Sequence, residues 1–185
     1  MIYPIVLFGD PVLRKKGRNL EKDEIDVKQL AEDMFETMYQ ANGVGLAAPQ
    51  IGKSLRMFVV DGDPMEEEET AGFKKVFINP EIIEEDGDEW GFDEGCLSIP
   101  GVREEVFRSE KIRVRYLDEN WEEHEDTLVG VAARIVQHEY DHVEGVLFTD
   151  HLAPLKKRLL KSKLTNISKG KVDADYRVRV PQARK

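Results

Sequence analysis

Apolar residues return at helical spacing in some stretches of the chain and alternate with polar ones in others. Leu30, Met34 and Met38 stand at i, i+4 and i+8 with Ala31 and Phe35 beside them. This predicts a helix from an Asp26 cap to about Ala41, with that face in the core. Behind Pro154, the residues Leu155, Leu159, Leu160, Leu164 and Ile167 recur among lysines, predicting a late helix with proline near its first position. Residues 56–61 and 75–79 read as buried strands. Residues 111–117 alternate, turn at 118–120 and continue through 121–126 as a hairpin with one solvated face. His124, in the acidic return strand, is most simply a surface residue. The acidic stretch 64–72 is predicted as a mobile surface loop. Strands with one helix early and one late make an α+β domain.

Composition narrows the class. The chain has 185 residues, a hydrophobic content of 41% and a charged content of 35%, enough for one domain with a real core and a heavily charged surface. No run approaches the ~18 apolar residues of a membrane span. The first ten residues lack a basic region followed by a small-residue cleavage site, so a cytoplasmic protein without membrane contact is expected. The net charge of -10 is uneven: from Leu152 onward eleven Lys or Arg face only Asp173 and Asp175, leaving that part at +9 and the rest at -19. Such a basic end suits an anionic partner such as RNA, or is an ordinary solvated helix face with a frayed end. The expected organisation is a unit over residues 1–168 followed by a basic, flexible tail over 169–185.

The candidate chemistry begins with an apolar run, residues 129–136, that leads into Gln137-His138-Glu139-Tyr140-Asp141-His142. Read as a helix, it puts His138 and His142 one turn apart on one face. There they can grip a divalent metal, with Glu139 in reach of a water bound to it. A third ligand is needed. The downstream peptidase spacing matches as far as Gly145 but offers Phe148 where a histidine should stand, and no glutamate follows Glu144. Asp150 and His151 fall at no familiar spacing. Upstream, Cys96 is the only cysteine, so no intramolecular disulfide exists. With the two histidines it would make a three-ligand site open to water, the catalytic rather than the structural pattern. Gly43-Val44-Gly45 leaves a strip of backbone free of bulk, by default a plain turn and otherwise a place where another chain could approach.

Three stretches together resemble the peptide deformylase family, in order: Gly43-Val44-Gly45-Leu46-Ala47-Ala48-Pro49-Gln50, Glu94-Gly95-Cys96-Leu97-Ser98, and His138-Glu139-Tyr140-Asp141-His142. The early Gly9-Asp10-Pro11-Val12-Leu13-Arg14 also resembles the N-terminal segment of those enzymes. The resemblance implies antiparallel sheets packed around a central helix carrying the histidines, plus a C-terminal helix. It implies hydrolysis of the formyl group from the N-terminal formyl-Met of nascent polypeptides, with formate as product. Cys96, His138 and His142 would hold one divalent ion, Fe²⁺ in the cell, with Zn²⁺ or Ni²⁺ possible in purified protein. Glu139 would carry the proton, while the Gln50 amide and the Leu97 N–H would serve the oxyanion. Gly43, Val44, Gly45 and Gly95 would flank an extended substrate, with Arg103 on its carbonyls. Arg134, where an apolar residue is more usual, would point away or contribute only its aliphatic stem. The basic helix would dock on the ribosome. The competing readings are a hydrolase of another amide and a non-catalytic protein with a structural metal and an RNA-binding end.

Overall fold

Asp26 opens the first helix by accepting the Gln29 N–H at 3.0 Å, and α1 (Val27–Gln40) buries Leu30, Ala31, Met34 and Met38 as their spacing predicts. The structure, a computed structural model, describes residues 1–182. A five-stranded antiparallel sheet runs in the order β2 (Gly45–Ala47), β3 (Met57–Asp61), β4 (Lys74–Cys96), β5 (Ile99–Leu117), β6 (Glu123–Val129). Two further helices, α2 (Gly130–Val143) and α3 (Pro154–Ser168), complete the mixture of helix and antiparallel sheet. At the N-terminus, β1 (Ile5–Val6) pairs in parallel with β7 (Val178–Arg179).

β4 and β5 form one hairpin far longer than the short strands expected. A straight strand of 23 residues would reach about 75 Å at ~3.3 Å per residue, well beyond a domain of this length. Register shifts at Ile78/Glu81, Ile82/Glu84, Asp86/Glu89 and Gly95/Cys96 break the ladder, as bulges that bend a ribbon do. Its two halves therefore serve different cores. Near the base, Phe58, Phe77 and Tyr116 stack across three strands, with centroids 4.7 and 4.3 Å apart, and join the core under α2. Near the tip, Ile99, Val102 and Val106 pack with Leu7, Leu13 and Phe148. The predicted 111–126 hairpin is the β5–β6 pair, and His124 is half-buried there, stacked on Tyr116 and 2.7 Å from Asp118 Oδ2.

Two expectations are corrected. Residues 64–72 do not form a featureless mobile loop: they fold into two 3-10 turns, with Thr70 fully buried. The reason lies in α2, which begins without a side-chain cap of its own, so its free N–H groups need an outside acceptor. Glu69 supplies it, accepting the Val131 N–H at 2.8 Å. The 169–185 tail is also not free along its described part. Val172, Tyr176 and Val178, all at even positions of a segment whose burial alternates, pack inward, and the Ile5 and Leu7 N–H groups donate to Arg177 and Arg179 carbonyls at 2.8 and 3.0 Å. The alternating Asp and Arg residues hide this strand in the sequence, and residues 183–185 lie outside the described part. Among the described residues no helix is long and apolar enough to cross a membrane.

Replacing Glu69 with alanine is expected to cost about 1 kcal/mol of stability at pH 7, through loss of the α2 cap. The Val131 N–H holds the Glu69 carboxyl below its ordinary value. Its contribution is therefore complete above the unfolded-state pKa of about 4.3 and is lost as pH falls through the lower folded value. Urea unfolding of both proteins at pH 7 and pH 3 checks this: the gap should shrink at the acid end.

Candidate metal centre

α2 runs directly out of β6 and carries His138, Glu139 and His142 on its last turns; the two imidazole centroids are 5.2 Å apart. Cys96 arrives from the far end of β4, immediately before the two-residue turn Leu97–Ser98, and is paired with Ile99 across it. The ligand atoms of Cys96, His138 and His142 all lie within 4.8 Å of one another. Cys96 Sγ is 3.4 Å from His142 Nε2, close to the roughly 3.5 Å expected of a thiolate and an imidazole sharing one tetrahedral ion. The donor set and spacing fit a divalent metal.

Electrostatics treat the two imidazoles oppositely: His142 is held in the neutral, ligating form, while the charge on His138 is favoured and has to be displaced by a bound cation. Burial, then the neighbouring His138, push His142 down to about 3, so it is a neutral imidazole. Burial works against the charge on His138 too, but its hydrogen bonds to Cys96 and Glu94 outweigh this and raise it well above the usual value. Burial lifts Glu139 to about 7, and its Oε2 has no hydrogen-bond partner among the described residues. Gly45 faces that carboxylate: a Cβ there would lie 2.5 Å from Glu139 Oε1. Gly43 is likewise closed by Leu97, whose Cδ1 would be 2.8 Å from an added Cβ. The bare backbone strip thus accommodates the chain's own Glu139 and Leu97.

Gln50 is buried with its amide orientation set by the Ala47 N–H, which donates to Oε1 at 2.9 Å. Its NH₂ is thereby turned to Ser98 Oγ and Cys96 Sγ, at 3.3 and 3.5 Å. The predicted site residues, His142 excepted, line one cleft of about 510 Å³ between β2 and the β4–β5 tip. His142 sits behind it, 1% exposed. Arg103 is at the rim, donating to the Asp93 carboxylate and carbonyl at 2.8 Å each. Of the downstream candidates, Phe148 stacks on His138, Asp150 is paired with Arg14, and His151 with Asp141. Neither Asp150 nor His151 is turned to the cluster.

Glu94 was missed as a functional residue, although it stands two positions from Cys96. It is buried and accepts from His138 Nδ1 at 2.8 Å, Arg108 Nε and Nη2 at 2.8 and 3.0 Å, and Arg134 Nη1 at 2.9 Å. Burial opposes its charge, yet His138 and Arg108 hold the carboxyl far below the usual carboxylate range. By engaging His138 Nδ1 it leaves Nε2 for the cluster, the familiar carboxylate–histidine arrangement of metal sites. Arg134 departs from expectation: its guanidinium is as buried as its stem, bonded also to the Val106 and Trp90 carbonyls and 4.7 Å over the Trp90 ring. The only hint in the sequence was an arginine on an otherwise apolar helix face.

The profile of the family described as polypeptide deformylase matches residues 2–158. A protein named peptide deformylase from Cytophaga hutchinsonii is 58% identical over 181 residues, covering 98% of each chain. One of the same name from Christiangramia forsetii is 55% identical over 194 residues, covering 100% of this chain and 99% of the relative. The crystal structure of peptide deformylase from Thermus thermophilus superposes with a TM-score of 0.83 at 44% identity, over 91% of this chain and 99% of that one. That of a peptide deformylase from Legionella pneumophila gives 0.81 at 42%, over 92% and 98%.

Replacing Glu94 with glutamine leaves two buried guanidinium groups short of charge. Stability should drop by about 3 kcal/mol. Metal affinity should weaken ~10–100-fold as His138 loses its orienting partner. Thermal unfolding together with chelator competition would measure both.

Proposed function

The chain belongs to the polypeptide deformylase family, and from that premise we propose how its residues divide the work. It is a metal-dependent hydrolase that acts on formyl-Met nascent peptides. Cys96, His138 and His142 would hold a divalent metal, which when bound would supply Lewis acidity able to lower the pKa of water toward ~7 from about 15.7. We assign Fe²⁺ as the cellular ion, as the motif resemblance implies. The affinity order favours Zn²⁺ or Ni²⁺ in protein purified without precautions.

Glu139 is the proton carrier. As the water oxygen bonds to the formyl carbon, its carboxylate takes the water's proton. It then delivers the proton to the amine nitrogen when the C–N bond breaks, releasing formate and a free amine. The observation that carries this reading is the buried Glu139 Oε2, unpaired among the described residues, beside the Cys96–His138–His142 cluster. The Gln50 NH₂, its amide locked by Ala47, and the Leu97 N–H are the donors for the oxyanion. The substrate backbone adds as a strand along the free edge of β2, at Gly43, Val44 and Gly45, with Gly95 on the opposite side. The methionine side chain fills the apolar part of the cleft near Val44 and Ile135. Arg103, steadied by Asp93, contacts substrate carbonyls. The catalytic unit spans residues 1–168 and draws on the returning 171–182 segment as well. The working compartment is the cytoplasm, where chains start.

A Glu139→Gln variant should keep its metal while formate release from a formyl-Met peptide falls by ~10²–10⁴. Gln50→Ala should lose ~10²–10³. Metal analysis of anaerobically prepared protein, paired with assays on formyl-Met and acetyl-Met peptides, tests the whole reading. Equal release from both peptides, or an active Glu139→Gln enzyme, would refute it.

α3 supports a ribosome contact, because Lys156, Lys157, Arg158, Lys161 and Lys163 line a helix whose Leu155 and Leu159 are also exposed. Charge reversal at Lys157 and Lys161 should reduce co-sedimentation with ribosomes at low salt, and added salt should erase the difference. Binding identical to that of the unaltered protein would leave these lysines as ordinary surface.

A further inference from the structure

The Leu97–Ser98 turn has a weakness. Two-residue hairpin turns that match strand twist require positive φ at one or both central residues, a role suited to Gly and Asn. Positive φ occurs at Asn42, Asn79, Gly101 and elsewhere, but neither Leu97 nor Ser98 is among those residues. The turn is therefore not of the self-supporting kind, and both of its carbonyls are held from outside. The Phe8 N–H donates to Ser98 O at 2.8 Å, and the Tyr176 hydroxyl donates to Leu97 O at 2.8 Å.

Tyr176 belongs to the returning segment, which is itself firmly seated. Gly170 (φ +78) reverses the chain after α3, and a Cβ there would lie 2.7 Å from Val180 Cγ2. β7 pairs with β1, the strand that leads to Phe8. The Arg179 guanidinium covers Gly52, where an added Cβ would be 2.6 Å from Nη1, and Gly52 closes the 3-10 turn that carries Gln50. One strap thus touches both segments that present oxyanion donors, and its residues 173–176 form a wall of the cleft.

We propose that residues 171–182 are part of the active site and that Tyr176 is a positioning residue, fixing the Leu97 turn so that its N–H meets the developing oxyanion. The strap reaches the reaction through Leu97 and touches no reacting atom. The proposal rests on the assignment of Leu97 and Gln50 as oxyanion donors.

Tyr176→Phe in the full-length, metal-loaded enzyme keeps the ring and removes only the hydroxyl. Loss of one such hydrogen bond should lower kcat on a formyl-Met peptide about 3- to 10-fold. KM should stay within about twofold, metal content should be unchanged, and the melting temperature should fall by no more than the few degrees one hydrogen bond is worth. Tyr176→Ala, which also removes the wall, should raise KM in addition. Gln50→Ala serves as the control for the underlying assignment. If Gln50→Ala slows the enzyme while Tyr176→Phe leaves kcat intact, the positioning role is wrong and the oxyanion assignment stands. If Gln50→Ala has no effect, the assignment itself fails. If Tyr176→Phe instead loses metal or melts earlier than that, the residue is merely structural and the proposal is overturned.

Discussion

The buried carboxylate of Glu94 is where the separate parts of this protein meet. It leaves β4 two residues before Cys96 and accepts hydrogen bonds from His138 and Arg134 on α2 and from Arg108 on β5. Arg108 passes the connection to Asp141, which sits beside His142 in the same helix. Withdrawing this many charges from water costs several kcal/mol per ion, and the pairs roughly offset that cost. Net stabilisation is therefore not the main consequence. The network fixes the relation between a strand end that brings the thiolate and a helix that brings the imidazoles. Its geometry is demanding, because any one group left unpaired in that interior would be costly.

That connection could not exist with a straight ribbon. The β4–β5 hairpin must bend at its register shifts so that its tip, carrying Cys96, comes back against the helix that follows β6. The base of the ribbon is held by the Phe58–Phe77–Tyr116 stack and the tip by the core around Phe148. Phe148 also lies against His138, so the packing that anchors the tip bears directly on the histidine cluster. The α2 cap at Glu69 acts at the other end of the same helix. The candidate metal site is thus set by three long-range constraints: the ribbon's bend, the buried charge network and a cap from an acidic loop.

How far the sequence disclosed this depends on the range of the interaction. α1 and the 111–126 hairpin were legible because their periodicity and turn chemistry are local, written in Leu30/Met34/Met38 and in Asp118-Glu119-Asn120. The clustering of Cys96, His138 and His142 was legible as short motifs that have few other uses together. The strand through the acidic residues Glu84, Glu85, Asp86 and Asp88 was not, because that stretch is solvated and has no apolar alternation to reveal it. The Glu69 cap and the strap were hidden for a related reason: acids and arginines that look like surface are held by partners distant in sequence. Arg134 misled because a buried guanidinium is expected only once Glu94 is known to be buried beside it.

Glu139 shows what the rest of the architecture maintains. Its carboxylate packs against Gly45 on one side, and on the other its Oε2 has no hydrogen-bond partner among the described residues, an arrangement unfavourable in itself. The same desolvation that makes it unfavourable brings its pKa to about 7, where accepting and returning a proton are nearly balanced. Opening the carboxylate to bulk water or giving it a permanent protein donor would relieve the cost and return it toward an ordinary, weaker base. Any side chain at position 45 would take the space the carboxylate occupies. A glycine on an edge strand, itself a poor strand residue, is therefore the complement of a buried glutamate one residue from His138. The helix that carries Glu139 is held at its N-terminal end by the Glu69 cap and along its length by the buried Arg134–Glu94 pair.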